Sequence, residues 1–352
     1  MMTDHKQTTK QASGQQDVKV ERITAADRIS GDEGIEEERK IRPACFADYP
    51  GQERAKHNLQ TYVQAARMRN QVLDHVILHG PPGLGKTTIG QIIANEMGLP
   101  FVATNAATIE KQGDLVGILA SLERRTTIFV DEIHRLPRAV EESLYTAMEE
   151  FILDLVVGEG KSARPLKMPI AEFTLVGATT RISLLSKPLL SRFGIQERLD
   201  YYTVAELEQI IKRAASVLKI PCSACGIAII AQRARGTPRI ANRLLRRVWD
   251  FAVVAGRTSI DAEVAKFAAD KLEVDTLGLD NTDRQIMGLI AERYQGGPVG
   301  IEALAATLGE DRRTLEEVYE PYLVYKGLVS RSARGRILTA AGQAHLQRSC
   351  VS

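Results

Sequence analysis

The sequence predicts an α/β fold in which a parallel-sheet domain is followed by a small helical domain and a C-terminal winged-helix domain. Three observations predict this order. Short apolar runs alternate with helical patterns from about residue 50 to residue 202, as in a parallel sheet covered by helices. The pattern is then helical up to about residue 274. Near the end of the chain, two β-prone segments follow further helical patterns.

The strands of the sheet are predicted from apolar runs bounded by turn residues. These runs are "HVILHG" (75–80), "PFVATN" (100–105), "TTIFVD" (126–131), "FTLVGATT" (173–180) and "QERLDYY" (196–202). A further segment, "LDLVVGEGKSARPLKMPIA", has two β-prone arms around Gly158 and Gly160. It predicts a hairpin at about residues 154–168 that protrudes from the sheet domain.

The part of the chain after Tyr202 is predicted to be mostly helical. Helical patterns up to about residue 274 indicate a small helical domain, and "DTLGLDNTD" (275–283) indicates a linker. Helices followed by a basic hairpin, here two strands around "SARG", give the order of a winged helix, a variant of the helix-turn-helix DNA-binding fold. Its helices are predicted at residues 283–294, 301–308 and 312–319. The predicted domains span residues 39–202, 203–274 and 275–352.

The composition is that of a soluble globular protein, with 44% hydrophobic and 26% charged residues in a chain of 352. No apolar run is long enough to cross a membrane, and the first residues lack the apolar segment of a secretory signal. We therefore expect a cytoplasmic protein. Residues 1–38 are polar and contain no aromatic side chain, which predicts a disordered tail. The net charge of +2 by itself indicates no class of partner.

The four cysteines are expected to be ordinary reduced thiols. Cys222 and Cys225 form a C-x-x-C pair, while Cys45 and Cys350 stand alone. A zinc site needs a second pair or histidines nearby, and a redox pair is expected beside a thioredoxin-like βαβ pattern. Neither accompanies the pair in the sequence, so a functional dithiol is the weaker alternative.

The clearest motif is "GPPGLGKT" at residues 80–87, which matches G-x-x-x-x-G-K-[ST] between a predicted strand and a predicted helix. Its glycines allow backbone N–H groups to turn toward phosphates. Lys86 can reach the β- and γ-phosphates of ATP, and the Thr87 hydroxyl can bind Mg²⁺. The residues predicted to bind the nucleotide in this loop are Gly83, Gly85, Lys86, Thr87 and Thr88.

The predicted strand "TTIFVD" ends in Asp131, about 45 residues after this loop, and Glu132 follows directly. At that place Asp131 is predicted to hold Mg²⁺ together with Thr87. Glu132 is predicted to activate the attacking water as a general base. We expect His134 to be structural or a relay to the hairpin, because no metal-binding partner is spaced to suit it.

Two further polar residues, Thr179 and Arg192, are candidates for a role in catalysis. Thr179, in "VGATTR", is predicted to hydrogen-bond the γ-phosphate or the attacking water; a threonine pair that merely suits a strand is the alternative. Arg192, in "KPLLSRFGIQ", is followed by no carboxylate before Glu197. The sequence therefore offers Arg192 no obvious local ion-pair partner.

The C-terminal segment is basic. Residues 326–352 contain no acidic residue. Such a segment is suited to bind phosphates, although a solvated basic terminus is an open alternative. Its basic residues are Lys326, Arg331, Arg334, Arg336 and Arg348.

These motifs, in this order, resemble the AAA+ ATPases, and longer stretches are similar to the RuvB family of Holliday junction branch migration motors. The similarity extends over about residues 39–348, and the most specific stretches are "GTPRIANRLLRR" and "GGPVG". Others are "DHVILHGPPGLGKTT", "DEIHRL", "TLVGATTR" and "YEPYLVYKGLVSRSARGR". The family usually has "SPLRxRFG" where this chain has "KPLLSRFG", so Leu190 replaces an arginine and Lys187 a serine.

The resemblance implies roles for residues around the nucleotide. Ile41, Arg42 and Tyr202 match positions at the adenine base. Arg239 matches a sensor arginine that reaches the phosphates from the helical lid domain. Arg192 matches an arginine finger that contacts the γ-phosphate bound by the neighbouring subunit, which would explain why no local partner is evident.

The resemblance also implies an activity and its partners. The activity is ATP-dependent branch migration of Holliday junctions in homologous recombination and DNA repair, by a ring of six subunits. DNA phosphates would be contacted, independently of sequence, by Arg312, Arg331 and Arg336. The hairpin at 154–168 matches the element that meets RuvA, the junction-binding partner, and a RuvC-like resolvase is a further implied partner.

Two other classes of function remain open on the residues alone. A clamp-loader-like or remodelling ATPase would share the nucleotide motifs but act on a protein. The basic C-terminal segment and the winged-helix order favour DNA over this alternative. A nucleotide-gated binding module without turnover would not need Glu132 and Arg192, and both are present.

Overall fold

The computed structural model describes residues 40–157 and 164–349. Its centre is a sheet of five strands in the order β2-β3-β6-β1-β7, and every neighbouring pair in it is parallel. The strands are β1 (Val76–His79), β2 (Phe101–Asn105), β3 (Thr126–Asp131), β6 (Phe173–Thr179) and β7 (Ile195–Arg198). The parallel sheet and the five predicted strands are thereby confirmed.

The last strand is shorter than predicted. The backbone N–H of Leu199 still donates to the His79 carbonyl at 2.8 Å, but the chain then leaves the sheet. The N–H of Tyr202 donates instead to the carbonyl of Gly236 at 2.9 Å. Tyr202 therefore belongs to the junction with the helical domain, and the predicted strand end at Tyr202 is wrong.

Helices cover both faces of the sheet. All seven residues of β6 are buried, as expected for a central parallel strand. Two apolar clusters, one on each side, contain alternate residues of the strands, for example Val76 and Leu78 in one and Ile77 in the other. The helices are α1 (Glu53–Arg69), α2 (Lys86–Met97), α3 (Gln112–Ala120), α4 (Arg138–Glu150) and α5 (Lys187–Ser191).

The predicted hairpin is present as an antiparallel pair outside the main sheet. It consists of β4 (Ile152–Val157) and β5 (Arg164–Pro169), and Leu153 lies opposite Met168. The predicted turn at Gly158 and Gly160 lies outside the described residues, as does the predicted tail at residues 1–38.

The small helical domain after the sheet, called the lid below, is a bundle of four helices. Its first helix begins with a capping box between Thr203 and Glu206, and its third begins with Pro238, a residue suited to a first helical turn. The lid helices are α6 (Val204–Val217), α7 (Ala224–Arg233), α8 (Pro238–Val254) and α9 (Ala262–Lys271).

The C-terminal domain has the predicted order of a winged helix. The wing is the antiparallel pair β8–β9, in which Arg331 lies opposite Arg336. One long helical segment, Arg312–Tyr325, passes through a π-helical stretch at Leu315–Tyr319. The elements are α10 (Asn281–Glu292), α11 (Ile301–Leu308), α12 (Arg312–Thr314), α13 (Glu320–Tyr325), β8 (Val329–Ser332), β9 (Gly335–Leu338) and α14 (Ala340–Ser349).

Cys45, Cys222 and Cys225 are free thiols. Within residues 40–157 and 164–349, none of the helices combines the length and the apolar character that a membrane span needs.

The segment predicted as a linker, residues 275–283, is packed rather than exposed. Leu279 is fully buried, and helix α10 begins at Asn281 within this segment. Asp283 is also fully buried and forms a two-point ion pair with Arg235 of the lid. The guanidinium of Arg235 lies 4.5 Å from the ring centroid of Tyr322. The lid and the winged helix are therefore joined by a buried charged contact, which no local sequence pattern indicated.

Asp283→Ala is expected to lower the free energy of unfolding by about 3–5 kcal/mol, because it leaves the buried Arg235 charge without its partner. The measurement is urea unfolding followed by the fluorescence of Trp249, the single tryptophan of the chain, which lies on α8. The control is Glu263→Ala, which removes an exposed ion pair with Arg257 and should cost less than about 1 kcal/mol. Equal effects would contradict the anchoring role of Asp283.

Candidate nucleotide site and nucleic-acid interface

A cleft lies where the carboxyl ends of β1 and β3 meet the lid. This is the usual place for a ligand in an open parallel sheet. The cleft is lined by every residue that was predicted to bind the nucleotide and by the two acidic residues at the end of β3, Asp131 and Glu132. These are Ile41, Arg42, Gly83, Gly85, Lys86, Thr87, Thr88, Asp131, Glu132, Tyr202 and Arg239.

The loop between β1 and α2 requires glycine at two positions. Gly83 has φ +77°, and a Cβ atom there would lie 2.7 Å from Cγ2 of Thr237 in the lid. Gly85 has φ +95°, and a Cβ atom there would lie 2.9 Å from the Tyr49 hydroxyl. Both positions combine a left-handed backbone with a close neighbour. The glycines thus allow the loop to pass close beneath the lid and the tyrosine.

Lys86 is held by the loop that it follows. Its Nζ donates to the carbonyls of Gly80 and Pro81, each at 2.9 Å. Burial lowers the pKa of Lys86 to about 8, although Glu132 and Asp131 favour its charged form. The ammonium group is therefore placed at the anion-binding loop with two carboxylates close by.

Glu132 is held in a left-handed conformation, with φ +49°, that is uncommon for a residue other than glycine. Its Oε2 lies 3.2 Å from Nδ1 of His134 and accepts a hydrogen bond from the Thr180 hydroxyl at 3.3 Å. Burial lowers the pKa of His134. Strain of this kind is typical of functional positions, and the two polar neighbours fix the orientation of the carboxylate.

The hydroxyl of Thr179 contacts protein groups in this structure. Its side chain is fully buried, and its hydroxyl lies 2.8 Å from Nδ1 of His134 and accepts from the N–H of Arg181 at 2.9 Å. Successive residues of a strand point to opposite sides, so the neighbouring Thr180 turns toward Glu132 instead. The contact of the Thr179 hydroxyl with the γ-phosphate stays a prediction, since in this structure the hydroxyl is engaged by His134 and Arg181.

Two residues that sequence reasoning missed also line the cleft. Tyr49 lies 2.6 Å from Tyr202, hydroxyl to hydroxyl, and the Tyr202 hydroxyl donates to the carbonyl of Leu84 at 3.2 Å. Arg213 of the lid donates to the carbonyl of Ile41 at 3.4 Å. No motif marks Tyr49 or Arg213. Only the folding of residues 40–50 against the lid brings them to the cleft.

Arg192 lies outside the cleft and has local partners. Its NH2 lies 3.2 Å from the carboxylate of Glu149, and its NH1 donates to the carbonyl of Pro188 at 2.7 Å. Its guanidinium also lies 4.4 Å from the ring centroid of Tyr145. Arg192 therefore has partners in its own chain that its neighbours in the sequence did not indicate, because Glu149 and Tyr145 lie on α4, more than 40 residues earlier.

The three arginines predicted to contact DNA lie together on the winged helix, and all are paired with carboxylates. Arg336 donates to Glu320 at 2.8 Å and Arg331 does so at 2.6 Å. Arg312 pairs with Glu302 and Glu316. Burial alone would raise the pKa of Glu320, but hydrogen bonds from Arg336 and Arg331 lower it. The acid-free C-terminal segment is thus partly neutralised by acidic residues that precede it.

The fold and the cleft define a P-loop ATPase of the AAA+ class, with a helical lid and a C-terminal winged helix. Three family models match in this order: the Holliday junction DNA helicase RuvB P-loop domain at residues 41–199, the RuvB AAA lid domain at 202–275 and the RuvB C-terminal winged helix domain at 276–347. The chain belongs to the RuvB family.

Curated relatives and solved structures agree with this assignment. The Holliday junction branch migration complex subunit RuvB of Paramagnetospirillum magneticum is 54% identical over 309 residues, which are 88% of this chain and 89% of the relative. The protein with the same name from Lacticaseibacillus casei is 50% identical over 89% of this chain and 92% of its own length. The structure of the Thermotoga maritima RuvB Holliday junction branch migration motor is 48% identical with a TM-score of 0.80, covering 88% of this chain and 98% of that one.

Thr180→Val is expected to lower kcat for ATP hydrolysis roughly tenfold or more, because a hydrogen bond to a charged group contributes about 1.5–3 kcal/mol. Without DNA, Thr179→Val should mainly lower stability, by about 1–3 kcal/mol, because His134 and the backbone N–H of Arg181 both lose the hydroxyl that they contact. Steady-state ATPase rates and thermal unfolding distinguish the two effects. A larger loss of the DNA-free kcat in a fully folded Thr179→Val protein than in Thr180→Val would support the original prediction for Thr179.

Proposed function

We propose that this protein is an ATP-driven motor that moves the branch point of Holliday junctions in DNA recombination and repair. The observation that carries the proposal is one cleft in which the anion-binding loop, two carboxylates and a lid arginine converge, in a chain that also carries a winged helix. The names of the relatives supply the junction as the substrate. Their similarity extends over nearly the whole chain.

The residues of the cleft suit the hydrolysis of ATP. Lys86 would bind the β- and γ-phosphates, and Arg239 would approach them from the lid. The hydroxyl and carboxylate oxygens of Thr87 and Asp131 are the ligand type that Mg²⁺ prefers, and a bound Mg²⁺ would neutralise phosphate charge. Glu132 would orient the attacking water and accept its proton. Its two polar neighbours, His134 and Thr180, support this role by fixing the carboxylate.

The proposed base site lies on the other side of the cleft. Ile41 and Tyr202 would pack on the adenine, with Arg42 beside them. Tyr49 extends this surface because its hydroxyl is hydrogen-bonded to the hydroxyl of Tyr202. The first helix of the lid also borders the cleft through Arg213, so closure of the lid would sense whether a nucleotide is bound.

The proposed assembly is a hexameric ring in which Arg192 acts on the neighbouring subunit. A guanidinium is always charged and matches the geometry of phosphate oxygens. In this structure it is bound to Glu149 and Tyr145 on its own chain. We propose that Arg192 gives up its contact with Glu149 and binds a phosphate of the nucleotide on the adjacent subunit. The family usually has an arginine at the position of Leu190, so Arg192 would act here without that second arginine.

The proposed DNA contacts are those of Arg312, Arg331 and Arg336. They would bind phosphates, and such contacts position a protein without selecting a sequence, as a motor that crosses any sequence requires. The hairpin of Ile152–Val157 and Arg164–Pro169 is proposed to meet a RuvA-like protein, and a RuvC-like resolvase would act on the same junction. Because a DNA motor works where its DNA lies, we expect the protein in the cytoplasm.

The test of the proposed function is the ATPase rate of the purified protein without DNA, with linear duplex and with a four-way junction. The junction is expected to stimulate hydrolysis, and Glu132→Gln should bind ATP yet show almost no turnover. Stimulation by a protein together with no response to any DNA would favour the remodelling alternative and contradict the proposal.

A mixing experiment tests whether Arg192 acts between subunits. Arg192→Ala and Lys86→Ala proteins are each expected to be inactive, and their mixture should regain part of the activity. The reason is that some interfaces then pair an intact P-loop with an intact Arg192. Finger arginines of this type contribute about 10³–10⁵ in rate. Glu149→Gln is the control, since it removes the local ion pair but keeps Arg192 and should stay active. Normal hydrolysis by Arg192→Ala alone would contradict the role.

Replacing Arg331 and Arg336 by glutamine is expected to weaken DNA binding equally for all sequences. Glutamine can still hydrogen-bond Glu320, so the fold should be retained. The slope of log Kd against log salt concentration should fall by about 2, since each phosphate contact contributes about 0.9. Arg69→Gln, at the end of α1, is the control with an unchanged slope. An unchanged slope in the double variant would exclude both arginines from the DNA interface.

A further inference from the structure

The winged helix contacts the P-loop domain through a group of charged residues at the end of β6. Arg181 follows the threonine pair of that strand, and its NH2 lies 2.8 Å from Oε1 of Glu317 and 3.6 Å from Oε2 of Glu316. Both carboxylates lie in the π-helical stretch of the winged helix. The contact therefore joins the segment beside Glu132 to the domain that carries the proposed DNA arginines.

Glu316 is shared between the two domains. While one of its oxygens faces Arg181, its Oε1 lies 3.4 Å from NH2 of Arg312 and 3.5 Å from NH2 of Arg336. The side chains of Arg181, Glu316 and Glu317 are 30%, 21% and 36% exposed. This contact is accessible to solvent, so a phosphate can compete for its arginines. The Arg235–Asp283 pair, by contrast, is 4% and 0% exposed and is closed to exchange.

Arg181 is also connected to the carboxylate that is proposed to activate water. Its backbone N–H donates to the Thr179 hydroxyl at 2.9 Å, and that hydroxyl lies 2.8 Å from Nδ1 of His134. The same Nδ1 lies 3.2 Å from Oε2 of Glu132, so Thr179 and Glu132 share one nitrogen of the ring. A displacement of Arg181 therefore changes a hydrogen bond that helps to orient Glu132. The buried hydroxyl of Thr179 would thus act through His134 and not through direct contact with a phosphate.

We infer that Arg181 is a positioning residue that communicates DNA binding by the winged helix to Glu132. DNA phosphates draw Arg312 and Arg336 away from Glu316, because a charge-assisted contact to phosphate replaces the contact to the carboxylate. Glu316 and Glu317 are then left to Arg181 alone, and they hold it more firmly. The segment of residues 179–181 becomes fixed, and Glu132 is held in its working orientation. This inference rests on the proposed DNA contacts of Arg312 and Arg336.

The inference predicts a change in kcat rather than in binding. Glu132 acts on the attacking water, so its orientation affects the rate of hydrolysis and not the affinity for ATP. DNA should therefore raise kcat with little change in KM. If the contact only stabilised the fold, its removal would lower the melting temperature. The ratio of kcat with DNA to kcat without DNA would then stay unchanged.

The experiment compares this ratio in the full-length protein and its variants, with a four-way junction as the DNA. Glu317→Gln removes one partner of Arg181 and lies outside the cleft and the DNA arginines. It should keep the basal kcat and the Kd for DNA within about twofold, while the stimulation of kcat by DNA falls at least severalfold. Arg181→Gln should also lose the stimulation, and Arg181→Lys should keep part of it. Glu292→Gln, an exposed carboxylate at the end of α10, is the matched control.

A charge exchange provides the second arm. Arg181→Glu combined with Glu317→Arg restores the ion pair with opposite orientation and should recover a large part of the stimulation that each single substitution removes. If the parent protein responds to DNA and Glu317→Gln and Arg181→Gln respond equally well, the inference is wrong while the proposed function stands. If the parent protein itself shows no response to DNA, the proposed function fails and the inference fails with it.

Discussion

The parallel sheet is the constraint on which the rest of the structure depends. Parallel strands end at a common edge, and the order β2-β3-β6-β1-β7 places the ends of β1, β3 and β6 side by side. The first of these ends leads into the anion-binding loop with Lys86, the second carries Asp131 and Glu132, and the third continues into Arg181. A phosphate-binding cation, the acidic pair and the contact to the winged helix thus lie next to one another, although Lys86 and Arg181 are 95 residues apart in the chain.

Two of the contacts that hold the winged helix to the other domains differ in character. The Arg235–Asp283 pair is fully enclosed, and removing one partner of such a pair costs several kcal/mol, so it fixes the domain to the lid. The contacts of Arg181 are partly exposed, where ion pairs contribute little to stability and can exchange partners. A rigid attachment on one side and an exchangeable one on the other suit a domain whose ligand must influence a distant reaction.

The sequence predicted the features that depend on local patterns, and the structure adds those that depend on distant contacts. The fold order and the cleft were predictable because a P-loop needs a fixed spacing between a strand and a helix. The choice between Thr179 and Thr180 was not, because it depends on which face the last residue of a strand presents. Arg192 was expected to lack a partner because Glu149 is remote in sequence, and Tyr49 carries no motif at all.

The central claim is that hydrolysis in this cleft moves DNA junctions. The most direct measurement is the dissociation of a synthetic Holliday junction by the purified protein and ATP, with a purified RuvA protein added or omitted and Lys86→Ala in parallel. The account predicts ATP-dependent dissociation that RuvA strengthens and that Lys86→Ala abolishes. Vigorous ATP hydrolysis with no dissociation of the junction, whether RuvA is present or not, would contradict it.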